Sequence, residues 1–412
     1  MEQTKLVPKR RFKEFQNTDA WEQRKLSDGT LKIGDGLHGT PNYTDDGDVY
    51  FVNGNNLVNG EIIITEETKR VTTDEQSKDD KALDENTLLM SINGTIGNLA
   101  WYKGEKLMLG KSTAFITVSD FDKKFIYAYL QTDGVHNYFL NNLTGTTIKN
   151  LGLKAIRETK LFVPVIEEQS KIGSFFAKLD NLITLHQRKL EKTKALKSAY
   201  LSEMFPAEGE RVPKRRFAGF TQPWEQRKLG DMVEEIIDNR GKTPPIVSSS
   251  QYPLLEVASL GNDTPDYSKV TKYVDKETYK NWFRQHIKKG DILFATVGNT
   301  GVTAMMDGAH QATIAQNIVG FRPNEKFNSE FMLQMFNLPG NLKKAKRIEM
   351  GAVQPSVKVS QLIDVKYSVP SKEEQVKVGT FFANLDHLIT LHQRKLEKLQ
   401  NIKKAYLNEM FV

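Results

Sequence analysis

The chain has 412 residues, of which 39% are hydrophobic and 26% charged, with a formal net charge of +7 and no cysteine. This composition is typical of a folded protein with room for two domains. The absence of cysteine excludes disulfides and thiolate zinc sites, and it favours a reducing compartment such as the cytoplasm. No apolar run approaches the roughly 18 residues of a membrane span, and the N-terminus lacks the apolar core of a secretory signal. The modest positive charge permits nucleic-acid binding without requiring it.

The chain contains one set of segments twice. VPKRRF occurs at 7–12 and 212–217, and WEQRKL occurs at 21–26 and 224–229. The longer segments 163–206 and 369–412 are identical at 30 of 44 positions, at a constant offset of 206. These repeated segments form a copied frame around two inserts that share little sequence. A period near 200 residues is too long for a solenoid repeat, so we interpret the pattern as a domain duplication.

Insert 1 (residues 27–162) and insert 2 (residues 230–368) each combine short strand-like runs with a longer helical stretch. Clusters of Gly, Asn and Asp separate the runs, as expected between short strands. The predicted helices are Phe125–Asn142 and Ser329–Lys346. The predicted strands are Val49–Val52, Glu61–Thr65, Thr87–Ile92, Ala114–Val118, Leu254–Val257, Asp291–Thr296 and Ile318–Arg322. Weak matches link residues 85–97 with 290–301, and 144–164 with 350–370.

Each long copy predicts a helix that starts with Pro and then Glu-Glu-Gln, where negative charge suits the helix dipole. Its apolar residues recur at alternating spacings of four and three, which is typical of a coiled coil. An amphipathic helix packed on a globular core is the alternative interpretation. The seam residues are Ile172, Phe176, Leu179, Ile183, His186, Leu190, Thr193, Lys197, Tyr200 and Met204, then Val378, Phe382, Leu385, Ile389, His392, Leu396, Leu399, Lys403, Tyr406 and Met410.

Chain order predicts how the two helices pair. If the entry and exit of each insert lie close together, the helices run antiparallel. Residues 172–204 would span roughly 48 Å at about 1.5 Å per residue, compared with about 34–36 Å for one turn of DNA. We therefore predict an α+β fold with two α/β-mixed domains separated by an antiparallel two-helix coiled coil, in a pseudo-two-fold internal repeat. The predicted boundaries are 1–162, 163–206, 207–368 and 369–412.

Polar residues in the Gly-rich loops of the inserts are candidates for contact with DNA. Amides and hydroxyls can read base edges, and lysines can hold phosphates. Closing a turn is the alternative role of any one of them. The candidates are Asn93, Thr95, Lys111, Ser112, Thr113, Thr146, Thr147 and Lys149 in insert 1, and Asn299, Thr300, Gln316, Asn317, Gln354, Ser356 and Lys358 in insert 2.

The sequence shows no convincing catalytic, nucleotide or metal motif. The GKST at 110–113 resembles the end of a phosphate-binding loop, but Glu105 stands where that loop requires glycine. No HExxH occurs, and the Pro244-Pro245 pair lacks the flanking residues of an amino-methyltransferase motif. We therefore predict no catalytic residue and no metal site, which favours a recognition or assembly role.

The WEQRKL openings, the paired helices with EEQ, FFA and LITLHQRKLEK, and the EMF endings resemble the specificity (S) subunit of a type I restriction-modification enzyme. The resemblance covers the whole chain. It implies that each insert is a target-recognition domain that reads one half of a split double-stranded DNA target, and that the helices set the spacer. It also implies docking of two methyltransferase (M) subunits and of restriction (R) subunits. S-adenosylmethionine, ATP and Mg would then be bound by those partners, with no cofactor and no catalysis in this chain.

Exposed positions shared by both long copies are candidates for docking M subunits; a solvated helix face is the alternative. They are Gln187, Arg188, Lys189, Glu191 and Lys192, with Gln393, Arg394, Lys395, Glu397 and Lys398. Basic residues near both repeat starts could contact phosphate or a partner, or form a flexible arm: Lys9, Arg10, Arg11, Lys214, Arg215 and Arg216. Two other functions stay open, a free-standing bipartite DNA-binding regulator and a coiled-coil scaffold that binds no DNA.

Overall fold

The computed structural model describes residues 7–239, 241–351 and 355–412. The chain divides into two units, and the division falls within both long helices. Unit 1 holds the chain up to Arg188 together with Gln393–Val412, and unit 2 holds Lys189–His392. Each unit therefore contains one insert, the first part of the helix that follows that insert, and the last part of the other helix.

Unit 1 alternates short strands with short helices before the first long helix. Its strands are β1 (Glu22–Lys25), β2 (Thr30–Asp35), β3 (Val49–Val52), β4 (Leu57–Val58), β5 (Glu61–Ile62), β6 (Arg70–Val71), β7 (Thr87–Ser91), β8 (Leu99–Trp101), β9 (Leu107–Leu109), β10 (Thr113–Val118), β11 (Leu143–Thr144), β12 (Asn150–Leu151) and β13 (Lys160–Val163). Its helices are α1 (Lys78–Lys81), α2 (Lys123–Tyr129), α3 (Asp133–Asn141), α4 (Leu153–Arg157) and the start of α5 (Ile166–Met204).

Unit 2, over its described residues, follows a similar order without strands equivalent to β4, β5, β11 and β12. Its strands are β14 (Glu225–Lys228), β15 (Val233–Ile237), β16 (Tyr252–Leu255), β17 (Tyr273–Val274), β18 (Ile292–Ala295), β19 (Thr303–Met305), β20 (Thr313–Ile314), β21 (Ile318–Pro323) and β22 (Lys366–Val369). Its helices are α6 (Lys276–Asn281), α7 (Ser329–Asn337), α8 (Pro339–Arg347), α9 (Val359–Leu362) and the start of α10 (Lys372–Met410).

The two inserts share one sheet topology despite their unlike sequences. The four-stranded sheet has the order β2-β10-β7-β8 in insert 1 and β15-β21-β18-β19 in insert 2. A three-stranded sheet, β6-β3-β9 or β17-β16-β20, contains one antiparallel and one parallel pair in each insert. All six residues of β10 are buried, as expected for a central strand covered on both faces. The predicted α+β character of both inserts is confirmed.

Most predicted strands occur with ends shifted by one or two residues, and Val49–Val52 is confirmed as β3. The predicted strand Glu61–Thr65 is wrong after Ile62, where β5 ends. Ile63 is exposed, so the apolar run does not mark a buried pleated face. Each weak sequence match joins equivalent elements, since β7 corresponds to β18 in the four-stranded sheets and β13 corresponds to β22 as the partner of the WEQRKL strand.

The two predicted insert helices are each broken into a pair. The run Phe125–Asn142 contains α2 and α3, and Thr132 caps the second helix by accepting a hydrogen bond from the amide of Val135. The run Ser329–Lys346 contains α7 and α8, with Pro339 at the first turn of α8. Proline has no amide hydrogen, so it starts a helix more readily than it continues one. Apolar periodicity persists across both breaks, which is why the pattern alone predicted single helices.

The WEQRKL copies form strands that close each insert. Strand β1 pairs with β13, and β14 pairs with β22, both antiparallel. The register sets Glu22 opposite Val163 in unit 1 and Glu225 opposite Val369 in unit 2. The entry and exit of each insert therefore lie side by side, which was the condition for antiparallel helices.

Within each unit, the two helix segments run antiparallel. In unit 1 the rings of Phe175 and Tyr406 meet edge to face with centroids 5.1 Å apart. In unit 2 the rings of Tyr200 and Phe381 do the same at 5.1 Å. Every predicted seam residue is buried or half-buried. The prediction of paired antiparallel helices is confirmed for both segments.

A glycine in each long helix allows the helix to approach its insert closely. A Cβ on Gly173 would lie 2.5 Å from the backbone nitrogen of Phe125, which is in the first turn of α2. A Cβ on Gly379 would lie 2.8 Å from the backbone nitrogen of Phe331 in the equivalent helix α7. Because glycine costs helix stability, its place in both copies reflects this contact.

Candidate nucleic-acid interface

Three loops that carry predicted contact residues meet at one edge of insert 1. The amide of Ile92, at the end of β7, donates to the carbonyl of Ser112 at 2.9 Å. The carbonyl of Ile92 accepts from the amide of Leu151 at 2.8 Å, and Asn93 forms a β-bridge with Asn150. The β7–β8 loop, the β9–β10 loop and the β11–β12 hairpin are therefore joined through one residue.

Insert 2 contains the same junction. The amide of Thr296 donates to the carbonyl of Asn317 at 2.9 Å, and its carbonyl accepts from the amide of Val357 at 2.8 Å. A β-bridge joins Val297 to Ser356. We call the two equivalent surfaces loop junction 1 (residues 93–97, 110–112 and 144–150) and loop junction 2 (residues 297–301, 315–317, 350–351 and 355–358).

The loop junctions bring most of the predicted contact residues together. Eight of them are exposed: Thr95, Lys111, Thr146, Thr147, Lys149, Asn299, Gln316 and Lys358. Four are half-buried: Asn93, Ser112, Asn317 and Ser356. Gln354 lies outside the described residues. The exposed side chains differ between equivalent loops, whereas the backbone hydrogen bonds beneath them are the same.

Two predicted contact residues point into the protein instead. Thr113 is 0% exposed and Thr300 is 5% exposed, and neither hydroxyl has a hydrogen-bond partner among the described residues. A buried side chain cannot reach a base edge, so the structure removes both from the predicted contact set. Ser112 is also used internally, since its hydroxyl donates to Asn53 Oδ1 and accepts from the amide of Gly54, both at 2.9 Å.

The prediction of a flexible arm is wrong for two of the basic residues near the repeat starts, Arg11 and Arg216. Arg11 donates two hydrogen bonds to Glu168, at 2.7 and 2.6 Å, with the side chains 5% and 0% exposed. Arg216 makes the same bidentate pair with Glu374, at 2.8 and 2.6 Å. That hydrogen-bonded pairing raises the pKa of Arg216 further above its ordinary value. These two arginines fasten the N-terminal arm of each unit to the start of its helix.

The neighbouring arginines lie on the surface of the same units. Arg10 pairs with Glu409 and lies over the ring of Tyr406. Arg215 repeats this arrangement with Glu203 and the ring of Tyr200. Lys9 and Lys214 are exposed, and they remain available to phosphate or to a partner.

The predicted docking positions lie on the surface of the helices. Gln187 is half-buried and the other nine are exposed: Arg188, Lys189, Glu191, Lys192, Gln393, Arg394, Lys395, Glu397 and Lys398. Arg188 reaches Glu61 of insert 1 at 2.7 Å, in a solvent-exposed pair of the kind that contributes little stability.

A half-buried lysine–aspartate pair lies at the seam in unit 1. Lys403 Nζ lies 2.6 Å from Asp180 Oδ1 and donates to Gln131 Oε1 at 2.7 Å. Burial raises the pKa of Asp180, and Lys403 opposes that rise. These three residues line a cavity of about 500 Å³ in unit 1. The pair therefore links both helix segments to the insert.

Unit 2 has the equivalent pair and one additional carboxyl group. Lys197 pairs with Asp386, and Gln334 donates to the second oxygen of Asp386 at 2.8 Å. Asp263, from insert 2, lies 4.0 Å from Lys197 and hydrogen-bonds Asp386. Burial, followed by repulsion from Asp386, raises the pKa of Asp263 to about 6.

Sequence reasoning missed the role of the residues that fasten each insert to its helix. They include Trp21 and Trp224, the Arg–Glu pairs and the Lys–Asp pairs. Their identity in both copies was the available signal, but identity that serves partner docking looks the same in the sequence. Among the described residues, no group of three or more His, Cys, Asp or Glu is placed to hold a metal ion. The GKST turn leads from β9 into β10, whereas a phosphate-binding loop leads into a helix.

Comparison with known proteins identifies the family. The family model described as "Type I restriction modification DNA specificity domain" matches residues 18–195 and 221–401, which together are most of the chain. The chain belongs to this family of type I restriction-modification specificity subunits. Each match contains one insert and most of the helix that follows it.

Similar proteins agree with this assignment. The type I restriction enzyme MjaVIII specificity subunit of Methanocaldococcus jannaschii is 22% identical over 341 residues, covering 79% of this chain and 78% of the relative. The putative MjaX specificity subunit of the same organism is 24% identical, covering 70% of this chain and 64% of the relative. The crystal structure of a type I S subunit from M. genitalium superposes with a TM-score of 0.68 at 16% identity, covering 98% and 99% of the two chains. That likeness shows a shared fold. The described residues include no helix long and apolar enough to cross a membrane.

Proposed function

We propose that this specificity subunit reads a split double-stranded DNA target, with loop junction 1 contacting one half and loop junction 2 the other. The observation that carries the proposal is the pair of equivalent junctions with unlike exposed side chains. Amides, hydroxyls and lysines on a common backbone can contact base edges and phosphates differently in each copy. The two inserts, which share one sheet topology, would then read two different DNA sequences.

The long helices would set the unspecified spacer between the two halves. Helices α5 and α10 are each continuous over 39 residues, or roughly 58 Å at about 1.5 Å per residue. Lengthening both by one turn should therefore widen the spacer in the methylated motif. An unchanged spacer would refute the role of the helices as a ruler.

The helix surface would dock the M subunits. Besides the polar docking positions, four leucines shared by the two copies are more than 40% exposed: Leu182, Leu185, Leu388 and Leu391. Apolar side chains grouped on an exposed surface are typical of protein interfaces. Two equivalent surfaces suit two M subunits, and an R subunit would join that complex.

The M and R subunits would carry out methylation and cleavage. This chain would bind neither S-adenosylmethionine nor ATP and would catalyse no step itself, so its contribution is the choice of site. A cytoplasmic location follows from this role, since methylation and cleavage take place on genomic DNA.

Comparison of methylomes tests the proposal. We expect a host with matching M genes to gain one split methylated motif when this gene is expressed and to lose that motif when it is deleted. Deletion with no change in methylation would contradict the proposal. Tight sequence-specific binding by the chain alone, at a salt concentration that suppresses phosphate contacts, would instead favour the free-standing regulator.

A further inference from the structure

The two loop junctions differ sharply in the charge of one equivalent segment. Helices α3 and α8 correspond at an offset of 206; α3 leads into the β11–β12 hairpin, and α8 leads to Met350, which forms a β-bridge with Ser356. Residues 339–358 contain five Lys or Arg and one Glu, whereas the equivalent residues 133–152 contain one Lys and one Asp. The segment is therefore strongly basic in insert 2 and neutral in insert 1.

Helix α8 is directly joined to loop junction 2. Met350, three residues beyond its end, exchanges two hydrogen bonds with Ser356, at 2.8 and 3.0 Å. The carbonyl of Pro355 accepts from the amide of Gly298 in the β18–β19 loop at 3.0 Å. A Cβ on Gly301 would lie 2.9 Å from the side chain of Leu342 in α8. Helix α8, the Met350–Ser356 bridge and the β18–β19 loop are therefore in direct contact.

Three of the cations on α8 are available to a ligand. Lys343, Lys346 and Arg347 are exposed. Arg347 lies 3.3 Å from Glu208, but the two side chains are 64% and 71% exposed, so the pair is weak. Lys344 is different, because it donates to the carbonyl of Lys366 at 3.0 Å and burial lowers its pKa.

Interaction with the helix dipole does not account for the cluster. Cations in the last turn stabilise a helix C-terminus, but Lys343 lies before the last turn of α8. The equivalent helix α3 ends with no basic residue in its last turn. Positions that hold Lys343, Lys346 and Arg347 in α8 hold the exposed residues Asn137, Leu140 and Asn141 in α3. The same fold therefore forms without the charge.

We propose that α8 contacts DNA phosphates beside the half-site read by insert 2, and that insert 1 has no equivalent contact. This inference rests on the proposed function. The charge of the whole inserts agrees with it, since residues 230–368 contain 17 basic and 15 acidic residues and residues 27–162 contain 14 and 19. The two halves of the target then contribute unequally, with insert 2 supplying more of the sequence-independent affinity.

Salt dependence of DNA binding tests the inference. The K343N/K346Q/R347N variant of the full chain would be compared with wild type by fluorescence anisotropy on a mixed-sequence duplex. Each phosphate contact contributes about 0.9 to the slope of log K against log salt, so loss of three should make the slope shallower by about 2 to 3. The K269N/K276N/K280N variant removes three exposed charges elsewhere in insert 2 and should change the slope by less than about 1.

A reciprocal variant makes the test independent of a folding defect. N137K/L140K/N141R places the cations on α3, and it should steepen the slope by a similar amount. An α8 variant that remains folded and keeps the wild-type slope would overturn the inference. Loss of M-subunit binding with an unchanged slope would also overturn it, and would show that α8 docks a protein. If motif methylation persists in either case, the proposed function survives; if the wild-type chain directs no methylation, the proposed function fails as well.

Discussion

The buried ion pair between Arg11 and Glu168 offers a direct test of how the copied frame is held together. The Arg11→Met substitution removes the guanidinium and keeps much of the side-chain length. Glu168 is 0% exposed at its side chain, so its carboxylate would lose both charged hydrogen bonds without access to water. Breaking a buried pair in this way costs about 3–5 kcal/mol.

Matched variants distinguish the stability contributed by the buried Arg11–Glu168 pair from that contributed by the exposed pair beside it. The Arg10→Met substitution removes the adjacent arginine, which pairs with Glu409 at the solvent-exposed surface, so it should change stability little. The double variant R11M/E168Q removes the uncompensated charge and should recover much of the loss. A unit of about 200 residues loses about 2–4 °C in Tm per kcal/mol, so R11M should lower the Tm of unit 1 by roughly 10 °C.

Thermal and urea unfolding followed by circular dichroism would measure these differences. The reasoning predicts a large loss for R11M, a small one for R10M, and an intermediate value for the double variant. An R11M protein as stable as R10M would refute it, because the buried pair would then contribute no more than the exposed one.

Three further predictions concern pH, packing and docking. Asp263 has a pKa raised from 3.8 to about 6, so the folded state keeps a proton that the unfolded chain loses, and stability should fall as pH rises from about 4 to 6. Since 36% of its side chain is exposed, the fall should be near 1 kcal/mol and should vanish in D263N; a wild-type protein with the same pH profile as D263N would contradict this. Gly173→Ala should destabilise by about 1–3 kcal/mol in urea unfolding despite alanine's higher helix propensity, and a stabilised variant would show that the close helix contact is absent. L182D/L185D/L388D/L391D removes the leucines of both surfaces and should abolish co-purification of M subunits at an unchanged Tm, whereas retention equal to that of the exposed control K404D would argue against docking there.

Periodic and repeated sequence predicted the parts of this fold that depend on local pattern. The seam from Ile172 to Met204 indicated a helix because its spacing follows a geometry that each turn repeats. Chain order predicts the antiparallel pairing if the entry and exit of each insert lie close together. The breaks before α3 and α8 were not predicted, because apolar spacing continues across the capping Thr132 and the initiating Pro339.

The copied residues carried two kinds of information that sequence alone could not separate. Identity at Arg11, Glu168 and Gly173 serves contacts inside the unit, yet it is indistinguishable in the sequence from identity that serves a partner. The pairing of Arg11 with Glu168 joins positions 157 residues apart, which no local pattern indicates. The loop junctions were also only partly predicted. Lys111, Ser112 and Thr113 are adjacent in the sequence, yet the first is exposed, the second is half-buried and the third is buried at the start of β10.

Exchange of one insert, followed by methylome sequencing, tests the central claim most directly. Residues 27–162 would be replaced with the corresponding insert of another specificity subunit, in a host that supplies the M subunits. We predict that one half of the split motif changes, while the other half and the spacer stay as they were. A change in both halves, or an unchanged motif in a methylating host, would contradict the assignment of one half-site to each insert.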